Sequence, residues 1–201
     1  MIISEFEQGT DEWMAERTGI PTASNFSKIF TTQLKPSSTS KTYMNTLLAE
    51  WMTGEKEQIK QSEWMERGIE LEAEARAAYK FVNDAEVMEV GLCFKDDKML
   101  AGASPDGLVG PDGILEIKCP KSSTHVGYIL DGKLPSTYWN QVYGQLWITG
   151  REWCDFISYY PGLPNFEIRI HRDEKIMAGI DSLVNKFIDE MLEKREKLGA
   201  L

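Results

Sequence analysis

The stretch from Ile114 to Cys119 constrains the fold most, because it is apolar enough for a buried strand yet carries Glu116 and Lys118. Successive side chains of a strand point to opposite faces, so these two charged side chains share one face, about 6–7 Å apart at the backbone. Leu115 and Ile117 then point the other way. The pattern therefore predicts a strand with one face in a core and paired charges on the other.

A hairpin is predicted immediately before this strand. The segment 110–113, Gly-Pro-Asp-Gly, has the residues of a tight turn, and Asp106 precedes it. A hairpin would return Asp106 toward Glu116, so that two carboxylates and the Lys118 amine converge at the edge of the sheet. Buried charges persist only when they are paired or bound to a metal, and carboxylate oxygens suit Mg²⁺ or Mn²⁺. A surface hairpin with one salt bridge is the alternative that these residues leave open.

The composition places the chain among globular proteins. Its 201 residues suffice for one substantial domain, which we expect to span residues 1–201, with 42% hydrophobic and 27% charged residues. The net charge of −10 argues against a basic surface that coats nucleic acid. It does not exclude a DNA enzyme whose basic residues and metal ions are concentrated in one channel. The sequence contains no apolar run long enough to span a membrane.

The cysteines and histidines predict neither a zinc site nor a disulfide framework. Cys93, Cys119 and Cys154 are widely spaced and odd in number, and His125 and His171 are isolated. We interpret the cysteines as buried small hydrophobic residues and both histidines as non-ligands. The start of the chain lacks the pattern of a signal peptide, so a reducing cytoplasm is the expected compartment.

Hydrophobic periodicity predicts an α/β fold. Helices are expected after Thr10, from Thr22 or Ser24 to about Phe30, around Tyr43 to Gly54, over 62–82, 122–130 and 135–149, and from Asp173 onward. Strands are expected over 87–94, 99–103, 114–119, 153–160 and 166–171. This order predicts a mixed central sheet with helices on both faces.

Several polar residues on these elements are candidates for function. Arg17 and the hydroxyl of Ser24 flank a helix N-terminus, where phosphate binds readily, although ordinary capping and a surface Arg are the simpler interpretation. Glu72 borders the apolar stripe of the long helix. Gln141 and Gln145 share one helical face, for which surface exposure is the simpler interpretation.

The motifs occur in a particular order along most of the chain. They are Trp13, Arg17 to Ser24, Leu47 to Glu50, Gly68 to Arg76, Ser104 to Leu108, Leu115 to Pro120, Gln141-Val142 with Trp147, and Arg172 to Lys175. In these motifs the chain resembles the lambda-type exonucleases, also called YqaJ-like viral recombinase nucleases, of the PD-(D/E)XK nuclease superfamily. The resemblance runs from about Gln8 to the C-terminal helix. It implies a restriction-endonuclease-like core.

The resemblance also implies an activity. Members of the family are Mg²⁺-dependent exonucleases that digest the 5′-ended strand of linear duplex DNA, release 5′-mononucleotides and leave a 3′ single strand for recombination. By this resemblance we expect two Mg²⁺ ions per site, with Mn²⁺ able to substitute. A ring-shaped homotrimer, a single-strand annealing protein as partner, and a phage or prophage origin in a bacterial host are expected on the same basis.

The resemblance assigns roles residue by residue. Asp106, Glu116, the main-chain carbonyl of Ile117 and Glu72 would hold the metal. Lys118 would orient or help deprotonate the attacking water, or stabilise the developing charge, and Gln141 would lie near the active site. The candidate contacts for the 5′-phosphate or other parts of the DNA are Arg17, Ser24, Ser104, Lys121, Lys35 and Met65, the last as an apolar wedge at the terminal base pair.

One position departs from the family pattern. The family has an Arg that contacts the terminal phosphate shortly after the Lys-Cys-Pro motif, whereas Thr124 occupies that region here. Lys121 is our candidate substitute. Two alternatives to the exonuclease stay open, namely an endonuclease or junction resolvase on the same core, and a DNA-end-binding recombination protein without catalytic activity.

Overall fold

The computed structural model describes residues 1–56 and 63–200, except for the side chains of residues 63–66 and 69. Its helices are α1 (Asp11–Glu16), α2 (Ser40–Thr53), α3 (Glu63–Asn83), α4 (Ser122–Asp131), α5 (Ser136–Thr149) and α6 (Glu174–Gly199), with a 3-10 helix at Ala23–Lys28. Its strands are β1 (Ile2–Ile3), β2 (Val87–Met88), β3 (Cys93–Phe94), β4 (Gly102–Ala103), β5 (Gly107–Val109), β6 (Gly113–Lys118), β7 (Trp153–Ser158) and β8 (Phe166–His171).

The predicted mixed sheet is confirmed. Five strands pair in the order β2-β5-β6-β7-β8, and β6 and β7 are parallel whereas the other pairs are antiparallel. Strands β1, β3 and β4 form a smaller antiparallel sheet. Among the described helices, none has the length and apolar character needed to cross a bilayer.

Helices cover both faces of the larger sheet, as expected. On one face, Ile114 of β6 and Phe156 of β7 belong to the main core, to which α2, α5 and α6 contribute. On the other face, Ala75 and Tyr79 of α3 pack with Leu115 and Ile117 of β6. The alternation predicted for this strand is therefore correct: its odd-numbered side chains face α3, and its even-numbered side chains face α5.

The predicted hairpin is also correct. Strand β5 pairs with β6 in the register Gly107↔Leu115, Leu108↔Ile114 and Val109↔Gly113. The turn between them lies at residues 110–112, and Gly110 has a φ of 51°. Asp106 thus immediately precedes the hairpin and lies beside β6 near Glu116.

Two predicted elements differ from the structure. The strand expected over 87–94 is two short strands in different sheets, because β2 pairs with β5 whereas β3 pairs with β1 and β4. Hydrophobic alternation is the same for one long strand and for two short ones. The sequence pattern therefore does not show that the chain passes from one sheet to the other within this segment. The helix expected after Thr22 is a 3-10 helix without a side-chain cap. Thr22 Oγ1 instead accepts from Asn25 Nδ2 and contacts Ser24 Oγ.

The helix around Tyr43 is present, but one of its predicted stripe residues is not buried. Tyr43, Leu47 and Leu48 are buried on α2, whereas Trp51 is 41% exposed. Its ring lies 5.4 Å from the Arg195 guanidinium carbon, at the edge of the interface with α6. A partly exposed aromatic ring beside a cation satisfies the same helical spacing as a core residue.

Gly144 allows α5 to lie unusually close to the 3-10 helix. A Cβ atom on Gly144 would lie 2.6 Å from Cδ2 of Phe26 and 3.2 Å from Cβ of Ala23. Such distances are shorter than ordinary van der Waals contact. This close approach brings the Gln141 and Gln145 face of α5 next to the residues that follow Thr22.

We expect the substitution Gly144→Ala to destabilise the protein. Overpacking costs about 1–3 kcal/mol, and the better helix propensity of Ala offsets at most about 1 kcal/mol of that. Gly127→Ala is the matched control, since Gly127 lies within α4 and a Cβ there has nothing within 4 Å. Urea unfolding should show a loss for Gly144→Ala and no loss for Gly127→Ala. Equal stability of the two variants would contradict the close packing.

Candidate active site

The two predicted carboxylates lie on neighbouring strands. The Asp106 amide donates to the carbonyl oxygen of Leu115 (3.0 Å), which continues the hairpin ladder by one residue. The Asp106 carboxylate then accepts from the amide of Ile117 through Oδ2 (2.5 Å). These two bonds fix both the backbone and the side chain of Asp106 against β6, adjacent to Glu116.

Glu116 is fully buried, and three donors surround its carboxylate. Gln141 Nε2 donates to Oε1 (2.6 Å), and Gln145 Nε2 donates to Oε2 (2.5 Å). Lys118 Nζ forms an ion pair with Oε1. The two amides satisfy the carboxylate oxygens without cancelling the negative charge, so one lysine is its only cationic partner among the described residues.

The charges of the site perturb one another strongly. Burial raises the pKa of the Asp106 carboxyl well above its usual range, and the negative charges of Glu116 and Glu72 raise it further. Burial lowers the pKa of Lys118, but Glu116 and Asp106 together outweigh it and hold that pKa above its ordinary value. The ammonium form of Lys118 is therefore favoured, and the raised pKa of Asp106 means that a negative charge on Asp106 is not fully compensated by the surrounding protein groups.

Asp106, Glu116 and Ile117 fit a hard divalent cation. The N–H and C=O of one strand residue project to the same side, so the Ile117 carbonyl faces the same side as its amide, toward Asp106. Oxygen donors of this kind suit Mg²⁺, which is commonly held by one or two carboxylates and otherwise keeps its waters. Within residues 1–56 and 63–200, no group of three or more Asp, Glu, His or Cys side chains is arranged to hold a metal.

Glu72 is bound by Arg76, which is not among the site residues predicted from the sequence. Arg76 Nη2 donates to Glu72 Oε1 (2.5 Å), Nη1 pairs with Glu89 (2.8 Å), and Nε donates to the main-chain oxygen of Asp106 (3.0 Å). Burial raises the pKa of Glu72, and Arg76 opposes this shift. Arg76 links α3 to the backbone of a candidate ligand. The signal available in the sequence was its i,i+4 spacing from Glu72.

A pocket of about 130 Å³ lies beside the carboxylates. Four of the predicted site residues line it, namely Arg17, Ser24, Ser104 and Gln141, together with Gln8, Trp13, Thr22, Ala23 and Gln145. Its wall is mostly hydroxyl, amide and guanidinium groups. Because both glutamines that bind Glu116 also line this pocket, the pocket and the carboxylate site share a wall.

Arg17 is held so that one guanidinium nitrogen, Nε, has no hydrogen-bond partner among the described residues. Nη1 donates to Ser104 Oγ (2.9 Å), and the guanidinium carbon lies 4.3 Å from the ring centroid of Trp13, whose Nε1 also donates to Ser104 (3.1 Å). Arg17 Nε is buried and has no hydrogen-bond partner in the part of the chain that the structure describes. A buried donor without an acceptor is rare, and an anionic ligand would satisfy it.

A second positive charge lies near Arg17. Burial lowers the pKa of Lys56, and the positive charges of Arg17 and Lys28 lower it further, against the opposing effect of Glu50. Like charges gather here although each disfavours the other. A bound anion would relieve this repulsion.

The structure does not bring every predicted residue to the pocket. Lys121 precedes α4 and Lys35 lies in the loop before α2; both are exposed and neither lines the pocket. Thr124 is exposed on α4. Met65 lies in α3, but its side chain is outside the described residues. Gln145, in contrast, was noted only for sharing a face with Gln141, and it is the more buried of the two.

We expect Gln145→Leu to destabilise the protein by about 1–3 kcal/mol, because a fully buried carboxylate oxygen would lose its donor. Gln33→Leu is the matched control, since Gln33 is exposed in a loop and should change stability by less than about 0.5 kcal/mol. Urea unfolding measures both. Unchanged stability of Gln145→Leu would contradict the importance of this bond.

The overall fold is similar to that of solved exonuclease structures. The chain superposes on the alkaline exonuclease LHK-Exo from Laribacter hongkongensis with a TM-score of 0.86 and 39% identity, over 95% of this chain and 97% of that one. The same enzyme in complex with dAMP gives a TM-score of 0.84 and 40% identity, over 94% and 96% of the two chains. A phage-related exonuclease from Haemophilus somnus 129PT shares the fold at 15% identity and a TM-score of 0.65, over 87% and 96%.

Sequence comparison identifies the family. The uncharacterized protein R354 of Acanthamoeba polyphaga mimivirus is 30% identical over 78% of this chain, and the chain spans only 30% of the length of that viral protein. The YqaJ-like viral recombinase domain matches residues 12–152, which include the hairpin, both glutamines and Arg17. The chain therefore belongs to the YqaJ-like viral recombinase domain family.

Proposed function

We propose that the protein is a Mg²⁺-dependent 5′→3′ exonuclease that digests the 5′-ended strand of linear double-stranded DNA. One observation carries this proposal: the phosphate-sized pocket with Arg17 and the carboxylate site share Gln141 and Gln145 as a common wall. A terminal phosphate in the pocket would present the adjacent phosphodiester to the carboxylates.

The relatives support a nuclease of this kind. LHK-Exo is described as an alkaline exonuclease, and its complex contains dAMP, a nucleoside monophosphate. A 5′-mononucleotide is the product expected from stepwise hydrolysis at a 5′ end. The 39% identity over 95% of this chain makes a shared reaction the simplest account.

In the proposed complex, the pocket selects and places the DNA end. Arg17 Nε and Nη1, with the hydroxyls of Ser24 and Ser104, supply donors for a 5′-phosphate, and the charge of Lys56 adds attraction. Contacts to phosphate position nucleic acid but carry no base information, so cleavage is independent of sequence. Lys121, Lys35 and Met65 are candidates for contacts with the duplex outside the pocket.

The carboxylate site performs the hydrolysis. Mg²⁺ held by Asp106, Glu116 and the Ile117 carbonyl, with Mn²⁺ as a substitute, would polarise the phosphodiester and lower the pKa of the attacking water. Lys118, as an ammonium, donates to the attacking water or the developing negative charge on phosphorus. Gln141 and Gln145 hold Glu116 in one orientation. Glu72, whose Oε1 accepts from Arg76, would complete the carboxylate set around the metal.

The further proposals concern assembly and context. We propose two metal ions per site, a homotrimer around the duplex, and a single-strand annealing protein that takes over the 3′ strand. We also propose that residues 1–201 act as one domain in the cytoplasm of a bacterial host, as part of phage or prophage recombination. Each rests on membership of the viral recombinase family.

A strand-resolved digestion tests the reaction. The substrate is a linear duplex with a 5′-phosphate on one strand, a 5′-hydroxyl on the other, and a different fluorophore at each 3′ end. With Mg²⁺, we expect the phosphorylated strand to shorten stepwise and release 5′-mononucleotides, while a closed circle of the same sequence persists. Lys118→Ala should bind the duplex but cleave it at least about 10²-fold more slowly.

Three results would contradict the proposal. Cleavage of the closed circle would indicate an endonuclease, and shortening from the 3′ ends would indicate the opposite polarity. Binding of the linear duplex without any cleavage would indicate a DNA-end-binding protein.

A further inference from the structure

Both backbone polar groups of Gly19 are held by charged side chains from distant helices. Glu50 Oε2, on α2, accepts from the Gly19 amide (2.9 Å), and Arg195 Nη2, on α6, donates to the Gly19 carbonyl oxygen (2.5 Å). Glu50 is 7% exposed. A buried carboxylate and a guanidinium are thus both used on one backbone residue.

The backbone conformation and the surroundings of Gly19 both require a glycine at this position. Its φ of 75° lies in the left-handed region, and a Cβ there would lie 3.1 Å from Cβ of Trp51 and 3.3 Å from Nη2 of Arg195. The position therefore needs glycine both for its dihedral angle and for the space available. The backbone of Gly19 therefore has little freedom to shift relative to α2 and α6.

Gly19 follows closely on Arg17, the C-cap residue of α1. The tip of Arg17 is located by Ser104 and Trp13, and its base is located by the chain segment that ends at Gly19. Arg17 Nε, which has no hydrogen-bond partner in the described part of the chain, lies between these two anchors on the side chain. A displacement of the Gly19 backbone would therefore move Arg17 Nε relative to the pocket.

We propose that Glu50 and Arg195 are positioning residues that set the preference of the pocket for a 5′-phosphate, acting through Gly19 on Arg17. This inference rests on the proposed function. It assigns to the C-terminal helix, far from the motifs of the site, a role in the choice of DNA end. It also gives a reason why the buried Glu50 and the half-buried Arg195 both form hydrogen bonds with the same glycine.

The test compares two linear duplexes that differ only in a 5′-phosphate or a 5′-hydroxyl. The measured quantity is the ratio of the two digestion rates. Glu50→Ala and Arg195→Met should each reduce this ratio about 10- to 100-fold, since a misplacement of roughly 1 Å has effects of that size. The double variant should lose less than the product of the two single losses, because both residues act through the backbone of Gly19.

Matched controls separate positioning from general damage. Glu55→Ala and Lys197→Met remove exposed charges near the same helix ends and should leave the ratio unchanged. Glu50→Gln keeps an oxygen acceptor for the Gly19 amide, so it should retain most of the selectivity. If Glu50→Ala does not fold, which thermal melting establishes, Arg195→Met remains the variant whose ratio tests the inference.

The results that would overturn this inference differ from the results that would overturn the proposed function. Equal losses on both substrates, with the ratio intact, would show that Glu50 and Arg195 only stabilise the fold, and would overturn the inference. A wild-type protein that digests both ends equally would also overturn it, although the nuclease assignment would stand. A wild-type protein that digests neither would overturn both.

Discussion

The buried carboxylate of Glu116 is the group on which the arrangement of the site depends. An ionised carboxylate without water is costly unless it is paired and hydrogen-bonded. Glu116 meets this condition only because α5 lies across the even-numbered face of β6 and supplies Gln141 and Gln145. The close approach of α5 at Gly144 then places the same glutamines in the wall of the pocket that contains Arg17. One packing contact thereby joins the two halves of the site.

A second buried carboxylate, that of Asp155, has different partners from those of Glu116. Asp155 pairs in register with Leu115, so it lies on the opposite face of the sheet from Glu116. Arg169 binds both of its oxygens (2.8 and 2.7 Å), and Tyr79 of α3 donates to Oδ2 (2.7 Å). Asp155 thus has a bidentate cationic partner, whereas Glu116 has neutral amides and one lysine. Of these two carboxylates, Glu116 is the one whose negative charge a bound cation could use.

The local parts of this site could be predicted from the sequence. The period of two in β6 and the turn residues at 110–113 are enough to place Asp106, Glu116 and Lys118 together, since all three lie within one hairpin. Long-range contacts could not be predicted from these residues. Arg17 meets Ser104 across 87 positions, and only the family resemblance suggested their shared role.

Other features depend on packing that leaves little trace in the pattern of residues. The partner of Gln145 is set by the distance between α5 and the sheet, and the division of the segment 87–94 is set by which sheet each half joins. The contacts of Arg76, and those of Glu50 and Arg195 at Gly19, also depend on packing. Charged residues on amphipathic helices usually face solvent, so only the tertiary structure identifies those that turn inward.

The central claim is that one wall of glutamines joins the end-binding pocket to the hydrolytic carboxylates. A crystal structure of the Lys118→Ala protein with Mg²⁺ and a 5′-phosphorylated duplex tests this most directly. The account predicts the terminal phosphate within hydrogen-bond distance of Arg17 and Ser104, and the adjacent phosphodiester beside Asp106 and Glu116. A duplex bound with its 5′ end outside the pocket would contradict it.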